Sequence, residues 1–271
     1  MAILIQFRKQ LNQYFDRMQF FVHQQSVVRK IWGKSDTILF IFAGASAEFA
    51  LNKAVDWLYF TGKLPADPLG RLFSTVAYAR KIVFASMEDA HSAIDSLRQI
   101  HGAVEENRGF SIPDWAYRDV LFMLIYYSIA AYELLERKLS DEEKEEVHHV
   151  FYRVGSRMGL KDLPATYNEW LPARAAHLVA DLQKSDHTTD LFKQYRKHLG
   201  TMRFKVVVEG QKLVVPEIVK QLLDFNDFSF LTPVVPVYKI SRLMKMDWLL
   251  KNLLLPADYK DQINELDVHP E

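Results

Sequence analysis

Between Val120 and Tyr132 the chain runs Val-Leu-Phe-Met-Leu-Ile-Tyr-Tyr-Ser-Ile-Ala-Ala-Tyr, which is apolar on nearly every side of a helical projection. A helix without a polar face has to lie at the centre of a core, wrapped by other elements. The segments around it supply the wrapping. From Ser86 to about Asn107, Ala90, Ile94, Leu97, His101 and Val104 recur at steps of four, three, four and three. That is the stripe of an amphipathic helix facing a core. Ser86, followed by Asp89 three residues later, marks its start as a capping box. Together these segments predict an all-α protein.

His101 occupies a slot in that stripe where the pattern calls for Leu or Ile. A buried imidazole needs a partner for its polar nitrogens, or a metal on one of them. Spacing leaves two readings open: a core histidine bonded to a neighbour, or a metal or haem-iron ligand.

The remaining punctuation is helical too. Met1 to Trp32 places Phe7, Leu11, Phe15 and Met18 on one face, and a second helix is expected from about Thr37 to Tyr59. Inside it, Ala43-Gly44-Ala45-Ser46-Ala47 lets a neighbouring helix or a flat ligand come close. Gly62–Pro65 is a loop, after which Asp67 and Pro68 read as N-cap and first helical residue. Arg71 and Thr75 follow, one turn apart on the same side. This pair fits either a polar group to be held, such as a propionate, or a surface arginine with a threonine bonded back to its helix. Ser140 to Glu143 and Thr166 to Glu169 are further capping boxes, and Gly159 is a C-cap. His177, His187 and His198 read as surface positions. Phe204–Val215 is rich in β-branched residues and fits a short hairpin or a helix ending near Val208. Short helices broken by Pro233, Pro236 and Pro256 are expected beyond it. With no repeat and no long linker, residues 1–271 read as one domain of nine or ten helices.

Composition narrows the chemistry. There are 271 residues, 49% of them hydrophobic, enough for one large core or two modest ones. Thirty-four basic residues balance 34 acidic ones, which argues against a nucleic-acid-binding surface. Cysteine is absent, which excludes disulfides, iron–sulfur clusters, thiolate-ligated haem and cysteine zinc sites. Any metal must use His, carboxylate or Tyr. Residues 1–16 lack the pattern of a signal peptide, and Glu48, Lys53 and Asp56 interrupt the most apolar stretch, so no membrane span is expected. The chain reads as soluble and cytoplasmic.

Two motif classes compete for the chemistry. Glu-x-x-His occurs at Glu88/His91, Glu145/His148 and Glu146/His149, and with Glu48 and Glu133 it allows a di-iron carboxylate site. There is no phosphate-binding Gly-rich loop, nucleophile elbow or His-Glu-x-x-His zinc motif.

The ordered set Asp67-Pro-Leu-Gly-Arg-Leu-Phe-Ser-Thr75, Ile100-His-Gly-Ala-Val104, Ala131-Tyr-Glu133 and Leu163-Pro-Ala-Thr-Tyr-Asn-Glu169 resembles the MpaB-type oxygenase and latex-clearing-protein (rubber oxygenase) family. The likeness covers roughly residues 37–177. It implies a globin-like helical core around haem b, with His101 as the proximal iron ligand. It also implies that Arg71 and Thr75 lie at the haem pocket and support catalysis. Better-known members use dioxygen to cleave carbon–carbon double bonds of isoprenoid chains. Two departures stand out. Ser74 replaces the lysine that precedes the threonine in latex-clearing proteins, and Leu121 or a neighbour replaces a second histidine of many shorter relatives. Glu48 and Asp56 are the candidates for the catalytic carboxylate. The expectation is a haem b-dependent oxygenase acting on a hydrophobic unsaturated substrate with dioxygen. A non-catalytic haem- or lipid-binding protein is the alternative.

Overall fold

The computed structural model describes residues 19–62, 66–243 and 267. The helical periodicity of Phe7 to Met18, the loop residues 63–65 and Pro256 lie outside them. Among the described residues there are eleven helices and no strand. They are α1 (Val27–Trp32), α2 (Ser35–Leu51), α3 (Val55–Phe60), α4 (Pro68–Val83), α5 (Met87–Arg108) and α6 (Asp114–Leu135), followed by α7 (Asp141–Met158), α8 (Tyr167–Asp181), α9 (Asp186–Val214), α10 (Glu217–Leu222) and α11 (Val234–Leu243). The fold is all-α, as the stripe and the apolar run predict.

Local chemistry sets the helix ends. The Ser86 hydroxyl accepts the Asp89 N–H at 3.1 Å, and Asp67 accepts Gly70 N–H at 2.8 Å with Pro68 in the first turn. Ser140 and Glu143 complete a reciprocal capping box at the acidic start of α7. At Thr166 only half of a box forms: Glu169 reaches past the cap to the Ala165 N–H. Gly159 closes α7 at φ 88°, a left-handed conformation that glycine adopts without steric cost.

α6 is the central helix, with Leu121, Phe122, Met123, Ile125, Tyr127 and Ile129 among its buried residues. It packs most extensively on α2, which also lies along α9. The small-residue run of α2 sits at this crossing. A Cβ added at Gly44 would fall 2.2 Å from the Tyr127 ring and 2.9 Å from Val214. The run therefore serves helix–helix approach. α4 and α5 pack together, α5 also packs on α7, and α7 and α8 both pack on α6.

Two expectations need correction. The helix expected from Thr37 to Tyr59 is broken at Asn52, whose extended backbone (φ −73°, ψ 134°) pairs with Leu182 in an isolated bridge. Phe204–Val214 is helical and belongs to α9, with Val215 as its extended C-cap. Its contact with α2 overrides the β-preference of its branched residues. α9 is itself two helices merged across Gly200 (φ 74°, ψ 162°).

Candidate functional site

The α5 stripe changes character along its length. Ala90 and Ile94 are fully buried, whereas Leu97, His101 and Val104 are half-buried. His101 packs its ring edge-on to Tyr117, with centroids 5.2 Å apart. The Tyr117 hydroxyl donates to Glu105 Oε1 at 3.1 Å, and the same oxygen accepts the Ile112 N–H at 2.9 Å. His101 Nδ1 is buried and has no hydrogen-bond partner among the described residues. Burial holds the imidazole pKa below its ordinary 6.5, and the Arg71 charge pushes the same way against Glu105. His101, packed against Tyr117 of α6, thus keeps one ring nitrogen unpartnered among the described residues.

α4 brings Arg71 into electrostatic range of His101. No carboxylate among the described residues pairs with its guanidinium. Thr75 donates its hydroxyl to the Arg71 carbonyl at 3.1 Å, and Ser74 donates to the same oxygen at 2.8 Å. The Thr75 hydroxyl hydrogen is thus spent on its own helix, leaving only lone pairs to offer a neighbour.

A second polar cluster lies deeper. Glu48, on α2, is completely buried, and Arg174, on α8, nearly so. They form a bidentate pair at 2.6 and 2.5 Å, and Tyr127 donates to Glu48 Oε2 at 2.8 Å. Burial opposes the Arg174 charge, but Glu48 outweighs it and holds the guanidinium pKa above its usual value. Burial, reinforced by Glu48, pushes the Tyr127 phenol well above 10. One turn along α8, His177 Nδ1 is hydrogen-bonded to the buried Asp119 and lies 3.4 Å from Asp181. Asn52 donates to the other Asp119 oxygen at 2.5 Å. His177 is therefore half-buried rather than a free surface residue, because α8 turns it toward α6.

The other candidates do not converge on His101. Glu48 is committed to Arg174. Asp56 pairs with Arg108 and lies 3.8 Å from His187 Nε2. Glu133 is bound by Lys138 and by the Leu139 N–H, and Glu145 by the Tyr167 N–H. Among the described residues the one group of three metal-type ligands is Asp119, His177 and Asp181, so the Glu-x-x-His pairs build no di-iron centre there. Leu121 is buried against Gly155.

Sequence reasoning passed over Arg174, His177 and Asp181. Their spacing of three and four residues on one helix face, in a helix with few other charges, was the available sign.

The family model described as ER-bound oxygenase mpaB/B'/Rubber oxygenase, catalytic domain, matches residues 30–249. No curated protein and no solved structure matches the chain. Among the described residues, no helix is long and apolar enough to cross a membrane.

Proposed function

The chain belongs to the mpaB/B' and rubber oxygenase catalytic-domain family, and from that premise we propose that it is a haem b-dependent oxygenase with His101 as its iron ligand. One observation carries the reading: the half-buried His101 keeps a buried Nδ1 that no group among the described residues engages. Such an atom costs free energy unless something outside the chain engages it. The Arg71 guanidinium, within electrostatic range and with no carboxylate partner among the described residues, suits a carboxylate such as a haem propionate. The residues present therefore fit the group.

Haem b, when bound, supplies the redox centre for activating dioxygen. The chain's own residues do the rest. Burial keeps the proton off His101, so its lone pair stays available as a ligand. Arg71 contributes a fixed positive charge beside it. Thr75 anchors its hydroxyl on the Arg71 carbonyl and so presents an acceptor to the same side. Tyr117 walls the ring and is itself tied down by Glu105. An aromatic-rich interior suits a hydrophobic, unsaturated substrate of isoprenoid character. Residues 1–271 form one haem-binding domain in this reading.

The test is an absorption spectrum. Purified protein, reconstituted with haemin where needed, shows a Soret band, and His101→Ala loses it. A wild type without a Soret band after reconstitution overturns the proposal. A second reading, haem binding without turnover, draws on one specific observation: both candidate carboxylates are already committed, Glu48 to Arg174 and Asp56 to Arg108. Oxygen uptake with a polyprenyl substrate separates the two. Uptake supports the oxygenase, and a Soret band without uptake supports the binder.

A further inference from the structure

Asp119, His177 and Asp181 lie outside the corner that the oxygenase reading uses. Each contributes one ligand-type atom, and all three atoms lie within 4.8 Å of one another. We propose that these three side chains bind a divalent transition-metal ion, distinct from the iron assigned to His101.

The donor set selects the class of ion. One imidazole nitrogen and two carboxylate oxygens suit zinc, manganese or ferrous iron, whereas calcium wants six to eight oxygens. The backbone places the donors without strain. His177 and Asp181 are one turn apart on α8 and project to one side, toward Asp119 on α6. The supporting contacts are those of a held site. Asn52 donates to Asp119 Oδ2, and its own carbonyl oxygen accepts the Ala54 N–H at 2.8 Å, which fixes the direction of the amide. The Phe122 ring packs edge-on to His177, with centroids 5.1 Å apart. Partners that orient ligands in this way accompany metal sites generally.

Charge points the same way. Two carboxylates face one imidazole; of the cations whose charge reaches them, Arg174 is paired with Glu48 and the Lys53 ammonium donates to the Ala180 carbonyl at 2.6 Å, while Arg118 balances part of the negative charge. The Asp119 and Asp181 carboxylates lie close enough to share one small space and repel one another. A dication would relieve that repulsion. Access is graded: the Asp119 side chain is 3% exposed, while His177 and Asp181 are 19% and 16% exposed. The inner ligand is buried and the outer two border solvent, which gives an entry path and room for water in the open positions. A bound ion would tie α6 to α8.

The competing account is a protonated His177 shared between two carboxylates. Tag-free protein, stripped with EDTA, is titrated with zinc chloride and with manganese chloride by calorimetry and thermal unfolding. The expected result is one equivalent bound, with Tm raised by about 5 °C at metal concentrations near one hundred times Kd. Asp181→Asn and His177→Gln should abolish both effects while leaving the Soret band in place, and His101→Ala should keep them. Asp181 borders solvent, so its isosteric change serves as the variant that still folds. No binding to wild type, or equal binding to Asp181→Asn, overturns the proposal.

Discussion

Around Glu48 the buried charges answer one another. Arg174 grips both carboxylate oxygens and Tyr127 adds a third hydrogen bond, with only the Arg174 Nε left over among the described residues. Around His101 the opposite holds: among the described residues an imidazole nitrogen is buried without a partner, and the Arg71 guanidinium lies in electrostatic range without an anion. The two regions are built from similar residues in similar helices. The difference lies in who satisfies them. A closed polar cluster serves the fold, and its removal is felt as lost stability. An open one costs stability and is retained for something the chain itself does not contain.

The largest stability effect should fall on the closed side. Arg174→Met strands a fully buried carboxylate and should lower unfolding free energy by about 3–5 kcal/mol in urea titrations. The double variant Glu48→Gln/Arg174→Met should recover part of the loss, because the stranded charge is gone. A single-variant cost near zero would erase the contrast. Gly44→Ala comes next. Its methyl would collide with the Tyr127 ring, whose hydroxyl serves Glu48, at a cost of about 1–3 kcal/mol in the same assay. The smallest effect should be on the open side. His101→Leu fills an apolar slot with an apolar side chain and should change haem-free stability by less than about 1 kcal/mol.

Acid sharpens the comparison further. The His101 pKa lies below 6.5 in the folded protein, so the unfolded chain takes up the proton first. Stability from this group is complete above pH 6.5 and declines as pH falls from there toward the folded value. His148, whose pKa burial also lowers, adds in the same direction. Urea midpoints measured at pH 7 and pH 5 should therefore fall less in His101→Leu than in wild type.

Much of the fold was legible in the sequence because its determinants are local. Ser86, Asp67-Pro68, Ser140 and Gly159 each act within one turn of their helix, and all four appear where the sequence puts them. The small-residue run at Gly44 was legible as a close approach, though the sequence did not show against what. Arg174 escaped because its meaning is a contact with Glu48, 126 residues away. His177 escaped because its helix has exposed residues on either side of it, so no apolar stripe marks it as inward. Phe204–Val215 was ambiguous because branched residues favour a strand locally while packing on α2 favours a helix. Of the His101 corner, the residue types and their order were readable. Their mutual geometry depends on how α4 meets α5, which no short pattern encodes.

The break at Asn52 has a consequence of its own. Its backbone N–H closes α2 on the Phe49 carbonyl, its side-chain oxygen starts the turn into α3, and its amide nitrogen holds Asp119. The Lys53 N–H and the Leu51 carbonyl clasp the end of α8 on either side of it. One small side chain thus works as a joint that sets both where the polypeptide bends and how a carboxylate is aimed. Since its two ends differ as donor and acceptor, that joint fits only one way round. Asparagine is the side chain of this size that offers one of each.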